Sequence, residues 1–433
     1  MNIAAPLSWL ELHRNSSLSE ARLRRLQDRR FQQTVHHAFQ WVPFYREAFE
    51  KQGLHPQDLR TVRDIGKLPI MSRESLQDVD PASRLDHRLQ ATDCIERSTG
   101  GSTGRPLLSY TGSSELTYET LGWVRTWKRL GLRVGDHQVT IKHPEDIAKA
   151  RSGKWYQHLG LLRLSYLDLR DPAPKLIDRL CELQPDVLRA QPSVLLSLAR
   201  ELRNRPRNQS IHPRLIFCAG EHLSRNTANF LKETFRAEVH NLYGATEAGC
   251  IGWWCPPCER FHINSDYLLV EVLKDGRQAR PGEVGEIVIT SLYRRSMPVI
   301  RMSLGDLAEA ASPKSCRHTR ETLCLARIVG RTLDSFQLAD GSEVSPYNFM
   351  PDEMKGVLNY QIVQERPGVI RIRLVTGPGF DVEALGAARV EYEAYLDGKV
   401  SITFEVVDQL PVGPGGRFKP AVVTKTGQPP QSR

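Results

Sequence analysis

The segment best suited to chemistry is RSTGGSTGRPLLSY, at residues 97–110, which combines glycines with two Ser-Thr pairs. Glycines let backbone amides approach an anion without obstruction, and serine and threonine hydroxyls donate hydrogen bonds to phosphate oxygens. The segment therefore predicts a loop that wraps a phosphate. It is not a Walker A loop, because the Gly-Lys-Ser/Thr ending is missing. A glycine-rich surface turn is the alternative that this segment alone leaves open.

Cysteines and a histidine form a second group that could do chemistry. The stretch CIGWWCPPCERFHIN contains Cys255, Cys258 and His262, and CRHTRETLC adds Cys316 and Cys324. Two cysteines separated by two residues have the spacing of a metal-binding knuckle. The spacing favours a metal site, with scattered buried thiols as the alternative.

The composition is that of a globular enzyme. The chain has 433 residues, of which 40% are hydrophobic and 25% charged, and this length predicts two or three domains. We expect a soluble protein, because no apolar run approaches the roughly 18 residues that span a bilayer. The N-terminal residues lack the pattern of a secretory signal, which predicts a cytoplasmic protein with reduced cysteines.

The formal net charge of +9 would suit an anionic partner such as nucleic acid, and RLRRLQDRR is the densest basic run. Leucines and an aspartate interrupt this run at helical spacing, and neither interleaved aromatic residues nor a nucleic-acid module accompany it. We interpret it as the solvated face of a helix and expect neither a nucleic-acid nor a membrane partner.

The elements that must position these residues follow an α/β pattern. Residues 1–90 indicate helices and connectors, and between 120 and 245 the apolar runs HQVTIKH, DVLRA, PRLIFCAG and AEVHNLYG alternate with helical patterns. This alternation predicts a largely parallel sheet. Residues 266–300 predict an antiparallel ribbon. The last 100 residues predict a small α+β unit with a hairpin turning at Pro367-Gly368, a helix near 381–396 and the strand VSITFEVV.

Four segments occur in the order found in the adenylate-forming enzymes. STGGSTGRP resembles their phosphate loop, NLYGATEAG their Tyr-Gly-x-Thr-Glu segment, LGDLAE their Gly-Asp segment, and RIVGRTLD the stretch that ends at the hinge between their domains. The N-terminal PFYREAF and KLPIMSRESL are similar to the opening of the phenylacetate-CoA ligase and CapK branch. The resemblance implies a large N-terminal domain over residues 1–333, with mixed or parallel sheets and a ribbon, and a mobile C-terminal lid over 334–433.

The resemblance also implies a two-step reaction and a set of site residues. A carboxylate would attack the α-phosphate of ATP to give acyl-AMP and pyrophosphate, and a thiol such as that of CoA would then take the acyl group. Glu247 would hold Mg²⁺, Thr246 would contact an α-phosphate oxygen, and Tyr243, in the Tyr243-Gly244 pair, would lie against adenine. Asp306 would accept hydrogen bonds from the ribose hydroxyls, with Arg331 nearby, and Gly220 and Glu221 would border the nucleotide. The residues implied to cradle the β- and γ-phosphates are Ser98, Thr99, Gly100, Gly101, Ser102, Thr103 and Gly104.

By the same resemblance, one of Cys255 or Cys258 would join His262, Cys316 and Cys324 in a closed zinc site. Such a site would be structural, because no ligand position would be left for substrate.

The C-terminus departs from the family pattern. Relatives carry a Gly-Gly-Lys stretch whose lysine bridges the carboxylate and the α-phosphate, whereas this chain has PVGPGGRFKPAVV, with Arg417 at the lysine position. Arginine's planar guanidinium does not present the compact charge of lysine. Lys419 lies two residues later, on the same face of an extended segment. The acid, the acceptor (CoA, a carrier protein or an amine) and the oligomeric state stay open, as does a non-catalytic nucleotide-binding protein.

Overall fold

The computed structural model describes residues 4–99, 107–150, 163–206, 210–312, 324–331, 336–351, 354–411 and 418–423. Helices and strands are numbered here in chain order. The helices are α1 (Ala4–Asn15), α2 (Glu20–Trp41), α3 (Pro43–Lys51), α4 (Arg73–Gln77), α5 (Ser113–Arg129), α6 (Pro144–Ala150), α7 (Ala173–Leu183), α8 (Pro192–Arg203), α9 (Arg225–Phe235) and α10 (Ala384–Tyr395). None of the helices in the described residues is long and apolar enough to cross a bilayer.

The strands account for most of the site-bearing segments. They are β1 (Ile95–Thr99), β2 (Leu107–Thr111), β3 (Gln138–Lys142), β4 (Leu164–Asp168), β5 (Val187–Ala190), β6 (Leu215–Ala219), β7 (Glu238–Ala245), β8 (Gly249–Cys255), β9 (Arg260–Ile263), β10 (Leu268–Lys274), β11 (Arg277–Gln278), β12 (Val284–Ser291), β13 (Met302–Ala310), β14 (Cys324–Arg331), β15 (Phe336–Gln337), β16 (Glu343–Val344), β17 (Val357–Arg366), β18 (Val369–Thr376), β19 (Ser401–Val406) and β20 (Ala421–Val423).

Residue contacts divide the chain into two compact units. The first unit contains Met1–Leu130 and Leu242–Arg331, and the second contains Gly131–Asn241 and Thr332–Arg433. The chain passes from the second unit into the first within β7. The predicted α/β fold class is confirmed, and the C-terminal segment forms a small sheet of its own.

Antiparallel strands form the framework of the first unit. Its sheet has the order β11-β10-β12-β13-β14-β9-β8-β7, and every neighbouring pair is antiparallel. The predicted ribbon is confirmed as the β10–β12 pair. In β12, residues 287–291 are all buried, since both faces of this central strand are covered. The sheet thereby gives β7, β8 and β13, which carry predicted site residues, a rigid setting.

The basic run near the N-terminus lies on α2, as expected for a solvated face. Leu23 and Leu26 are buried, and the arginines at positions 22, 24, 25 and 29 are exposed. The spacing of the buried residues gives α2 one apolar stripe that packs on the core of the first unit, with Phe31 and Val35 continuing the stripe.

The α/β part of the second unit is parallel. Strands β6, β5, β3 and β4 lie side by side in that order, and each pair is parallel. Short apolar runs such as LIFCA in β6 are buried throughout most of their length, because helices cover the sheet. Ser224 precedes α9 as its N-cap, and its side chain accepts a hydrogen bond from Thr227 N–H at 3.1 Å. This N-cap satisfies one of the helix's unpaired amides.

The C-terminal part of the second unit is a four-stranded sheet of order β19-β18-β17-β20. The predicted hairpin is confirmed as β17–β18, and Gly368 in its turn has φ +75°. The predicted helix is α10, which connects β18 to the parallel strand β19. Strand β20 adds to β17 in parallel and fixes the backbone that follows Lys419.

Candidate active site

Thr246 and Glu247 lie in the turn that connects β7 to β8. Ala245 pairs with Gly249 across this turn, and Gly249 adopts φ +69°. Hairpin loops of three residues commonly need a left-handed residue at this position, which glycine supplies without strain. A Cβ atom on Gly249 would also lie 2.4 Å from Glu119 Cγ. Glycine at this position therefore allows Glu119 to pack closely against the turn that carries Glu247.

Arg294 stabilises this turn through buried hydrogen bonds. Its side chain is fully buried, and it donates hydrogen bonds to the Glu247 carbonyl at 2.9 Å, Ser109 Oγ at 2.9 Å and Thr111 Oγ1 at 2.7 Å. Ser109 and Thr111 belong to β2, the strand that follows residues 100–106. One buried guanidinium therefore ties the Thr246-Glu247 turn to the end of the predicted phosphate segment.

Asp306 and Arg331 face each other on neighbouring strands, and Tyr243 completes the group. Arg331 Nε lies 3.3 Å from Asp306 Oδ1, and the Tyr243 hydroxyl donates to Asp306 Oδ2 at 2.8 Å. Burial raises the pKa of the Asp306 carboxyl, although Arg331 and the Tyr243 bond oppose the shift. Burial and the nearby carboxylate raise the pKa of Tyr243 well above its usual value. Asp306 is thus an acceptor in a sheltered, partly neutralised setting, suited to binding hydroxyl groups.

Arg73 brings a second guanidinium to the same group. It is the first residue of α4, and its Nη1 lies 3.8 Å from Glu247 Oε1. Burial lowers the pKa of Arg73, and the Glu247 and Asp306 carboxylates counteract this shift. At 3.8 Å the pair is an ion pair rather than a direct hydrogen bond.

Within the first unit the side chains therefore supply two carboxylates, two guanidiniums and a phenol. Oxygen ligands such as the Glu247 carboxylate suit a hard divalent cation, and guanidiniums suit phosphate oxygens. The group has the chemistry needed for a nucleotide with a metal ion.

The AMP-binding enzyme family model matches residues 99–293. Phenylacetate-coenzyme A ligase of Aromatoleum evansii is 26% identical over 327 residues, which cover 73% of this chain and 72% of the relative. Protein CapK of Staphylococcus aureus is 22% identical over 411 residues, covering 92% of this chain and 88% of CapK. Over residues 99–293 the chain is therefore similar to AMP-binding enzymes. The predicted phenylacetate-CoA ligase and CapK branch is confirmed by these relatives.

The solved structures support the same fold. 2-Hydroxyisobutyryl-CoA ligase in its postadenylation state, bound to R3-HIB-AMP, superimposes with a TM-score of 0.75 at 19% identity, over 95% of this chain and 92% of that one. Anthranilate CoA ligase bound to anthranoyl-AMP superimposes with a TM-score of 0.51 over 75% of this chain and 66% of that one. The first of these similarities covers 95% of the chain, and the shared fold therefore extends beyond the residues that the family model matches.

Part of the predicted phosphate segment lies outside the described residues. Ser98 and Thr99 end β1, and Thr99 pairs with Leu107 at the start of β2. Gly100, Gly101, Ser102, Thr103 and Gly104 fall outside the described residues, as do Cys316, Asp334 and Arg417. Their predicted roles stay predictions.

Gly220 and Glu221 lie in the second unit, directly after β6. Gly220 has φ +88°. The Glu221 carboxylate accepts hydrogen bonds from Ser193 N–H at 2.9 Å and Ser193 Oγ at 2.9 Å, and another from the Phe418 backbone N–H. Burial raises the pKa of Glu221, and these hydrogen bonds oppose the shift. The prediction that this pair borders the nucleotide stays a prediction.

Lys419 also lies in the second unit, two residues before β20. Its carbonyl accepts a hydrogen bond from Gln361 Nε2 at 2.9 Å, and its side chain is exposed. The Lys419 backbone is therefore held by a hydrogen bond, and the Lys419 side chain is exposed.

The structure brings together three of the predicted metal ligands. Cys255, Cys258 and His262 place their ligand atoms within 4.8 Å of one another, and Cys258 Sγ lies 3.0 Å from His262 Nε2. His262 is fully buried. Cys324 lies on the neighbouring strand β14, with its Sγ 3.4 Å from the other ring nitrogen, Nδ1. Sulfur and imidazole donors at this spacing fit a zinc ion.

Sequence reasoning missed Arg73 and Arg294. Arg73 lies in the KLPIMSRESL stretch that supported the resemblance, so this stretch offered a signal, although not for contact with Glu247. Arg294 follows β12 among other polar residues, and only the fold shows that it is buried beneath the turn.

Proposed function

We propose that the protein activates a carboxylic acid with ATP and passes the acyl group to coenzyme A. A carboxylate oxygen forms a bond to the α-phosphorus, and the bond to the bridging oxygen breaks to release pyrophosphate. The thiol sulfur then attacks the acyl carbon, its proton is lost, and AMP leaves. The observation that carries this proposal is the convergence of Tyr243, Asp306, Arg331, Glu247 and Arg73 in one group.

Asp306 and Tyr243 of this group, together with Thr246, would bind the nucleotide. Asp306 accepts hydrogen bonds from the ribose hydroxyls, and Tyr243, already bonded to Asp306, lies against adenine. Thr246 donates to an α-phosphate oxygen. Fixed donors and cations stabilise the charge that develops on the phosphates more effectively than mobile water does. The hydroxyls and amides of residues 98–104 would take the β- and γ-phosphates.

Glu247 would hold Mg²⁺, and its buried carboxylate, with Arg73 as a neighbour, is an oxygen donor of the kind that this ion prefers. The ion neutralises phosphate charge when bound. Glu247 itself supplies an anionic ligand whose backbone is fixed by Arg294.

Residues 334–433 would act as a mobile lid with a hinge near Asp334. Either Arg417 or Lys419 would supply the cation for the first half-reaction. Lys419 has the compact charge of the lysine in relatives, and its anchored backbone supports this role.

The substrate is an aryl or arylacetic acid in this proposal, which the similarity to phenylacetate-CoA ligases supports. The acceptor is CoA, and a carrier protein or an amine is the second candidate, since both would use the same first half-reaction. A non-catalytic nucleotide-binding protein is the alternative if no acid is adenylated.

A structural zinc ion bound by Cys255, Cys258 and His262 is also part of the proposal. Cys316 or Cys324 would provide a fourth ligand. The ion would hold together the ends of β8, β9 and β14, and a closed set of protein ligands would keep it away from the chemistry.

A panel of acids tests this function. Purified protein is incubated with ATP, Mg²⁺ and each acid, and pyrophosphate release is measured with and without CoA. We expect acid-dependent release for at least one acid, with thioester formed only when CoA is added. ATP binding without release for any acid would favour the non-catalytic alternative.

A further inference from the structure

The Glu221 carboxylate joins two parts of the second unit. Ser193 lies in the first turn of α8, where backbone N–H groups have no acceptor within the helix. Glu221 accepts from both the N–H and the hydroxyl of Ser193, each at 2.9 Å. These two bonds fix the position and direction of the carboxylate.

The third donor to this carboxylate is the Phe418 backbone N–H, one residue before Lys419. On the other side, the Lys419 carbonyl accepts from Gln361 Nε2, and Ile362 N–H donates to the Pro420 carbonyl at 2.8 Å. The backbone around Lys419 is therefore held from two directions. Gln361 and Ile362 belong to the C-terminal sheet, whereas Glu221 belongs to the α/β part.

Further contacts accompany this bridge. Asn226 Nδ2 donates to the Met354 carbonyl at 2.8 Å, and Thr227 Oγ1 donates to the Leu358 carbonyl. Glu221 and Phe418 line a narrow crevice with Thr227 and Leu358. The α/β part thus contacts the C-terminal sheet at several residues, and Glu221 adds a contact to the segment that carries Lys419.

We propose that Glu221 is a positioning residue for acid adenylation, because its bond to Phe418 N–H holds the Lys419 backbone against the α/β part. This inference rests on the proposed function, in which Lys419 or its neighbour supplies the cation. The oxygens of a carboxyl group accept hydrogen bonds from backbone N–H groups, and such a contact can hold the backbone of a segment whose Lys419 side chain is exposed. The Gln361 side chain would hold the Lys419 carbonyl against the C-terminal sheet. Glu221 would hold the Phe418 amide against the α/β part.

Glu221→Ala should slow acid-dependent ATP–pyrophosphate exchange by about 10- to 100-fold, as expected when a hydrogen bond to a charged group is lost. If Glu221 acts through the Lys419 segment and does not itself bind the nucleotide that the family resemblance places beside it, KM for ATP should change less than about twofold. Thioester formation from preformed acyl-AMP should proceed at the wild-type rate. Glu221→Gln retains one acceptor oxygen and should give an intermediate loss of exchange, which also provides a folded variant if the alanine variant is unstable.

Ser193→Ala is the matched control. It removes one bond to the same carboxylate but leaves the bond from Phe418 in place. We expect both half-reactions to stay within about twofold of wild type. Equal losses in Ser193→Ala and Glu221→Ala would assign Glu221 to the start of α8 alone and overturn the proposal.

Hydrogen exchange gives a readout that does not depend on activity. The Phe418 amide should exchange at least about tenfold faster in Glu221→Ala than in wild type or Ser193→Ala. Unchanged protection would overturn the proposal, as would a rise in KM for ATP without loss of kcat. If the wild-type protein adenylates no acid, the proposed function fails, and the exchange experiment still decides whether Glu221 holds this segment.

Discussion

The turn at residues 246–248 and the segment at 418–420 carry charged groups in different ways. Glu247 is buried, and Arg294 holds its backbone from a fully buried position. Lys419 has an exposed side chain, and its segment is held through backbone bonds to Glu221 and Gln361. The first region is buried like a protein core, and the second is an exposed segment held by hydrogen bonds to its backbone.

This difference matches the demands of a two-step reaction. A group that binds the nucleotide must keep its geometry through both steps, and burial among satisfied polar partners provides that rigidity. In the proposed function the cation is needed in only one step and must be released afterwards, and a few hydrogen bonds to backbone atoms can break without unfolding the rest. Mutations in the first region should therefore damage folding and activity together, and mutations in the second should affect one step.

The largest effect should come from Arg294. Arg294→Met leaves the hydroxyls of Ser109 and Thr111 and the Glu247 carbonyl without their buried donor. The free energy of unfolding should fall by at least about 3 kcal/mol, and adenylation should be lost. Urea unfolding measures the first and pyrophosphate release the second. Arg24→Met, in an exposed pair with Glu20 on α2, is the control and should unfold like wild type. A stable, active Arg294→Met protein would remove the contrast between the two regions.

Lys419→Ala or Arg417→Ala should slow acyl-AMP formation by about 10²- to 10³-fold, the cost of losing one preorganised charge. Transfer from preformed acyl-AMP to CoA should be spared, and melting temperature should change little because the side chain of Lys419 is exposed. Arg417→Lys should be neutral or activating. Rapid-quench measurement of each half-reaction checks this. Two alanine variants that adenylate like wild type would show that neither residue is the cation.

Asp306 should give a smaller effect, confined to nucleotide binding. Asp306→Asn should raise KM for ATP by about tenfold, because an amide accepts hydroxyl hydrogen bonds less strongly than a carboxylate. Burial raises the pKa of Asp306, so the protonated acid appears at a higher pH than for an exposed aspartate. KM for ATP should therefore rise as the pH is lowered through this raised pKa.

The same shift sets the sign of a stability effect. A raised pKa in the folded state means that Asp306 favours folding when protonated, so its contribution to stability is lost as the pH rises through that pKa.

The predicted rise in KM for ATP at low pH is tested with KM–pH profiles of wild type and Asp306→Asn. Measured side by side, these profiles separate titration of Asp306 from titration of ATP itself. Identical slopes in the acidic range would exclude Asp306 from ribose binding.

The smallest effect on activity should come from the metal cluster. Cys258→Ser should reduce a content of about one zinc per chain and lower the melting temperature, and Cys316→Ser should do the same if Cys316 is a ligand. KM for ATP in the folded fraction should stay within about twofold. Cys181→Ser, in the second unit, should retain the metal. Elemental analysis that finds no metal in wild-type protein purified without chelator would contradict the zinc proposal.

Sequence motifs predicted which side chains come together, but not the residues that support them; the roles of these side chains stay predictions. The order of NLYGATEAG, LGDLAE and RIVGRTLD placed Tyr243, Glu247, Asp306 and Arg331 in one family pattern, and the structure brings these side chains together. Arg294 contacts residues more than 180 positions away in sequence, as its bond to Ser109 shows. Periodicity and local spacing carry no information about such a contact.

Secondary-structure elements were likewise predictable where local sequence signals specify them, and not where they depend on contacts in the folded chain. The alternating strands β10 and β12 and the hairpin at Pro367-Gly368 were predictable, because alternation and turn residues are local signals. Strand β4 was not singled out, since LSYLD is short and its burial depends on pairing with β3. The partner of Glu221 was equally hidden, because α8 and Phe418 meet it only in the folded chain.

The most direct test of the central claim follows an oxygen atom from the acid. The acid that gives the most pyrophosphate is labelled with ¹⁸O in its carboxylate and incubated with ATP, Mg²⁺, CoA and the protein, and AMP is analysed by mass spectrometry. Attack of the carboxylate on the α-phosphorus predicts one ¹⁸O atom in each AMP formed, with turnover reduced sharply in Glu247→Gln. Label in orthophosphate with ADP as the product, or full activity in a folded Glu247→Gln protein, would contradict the account.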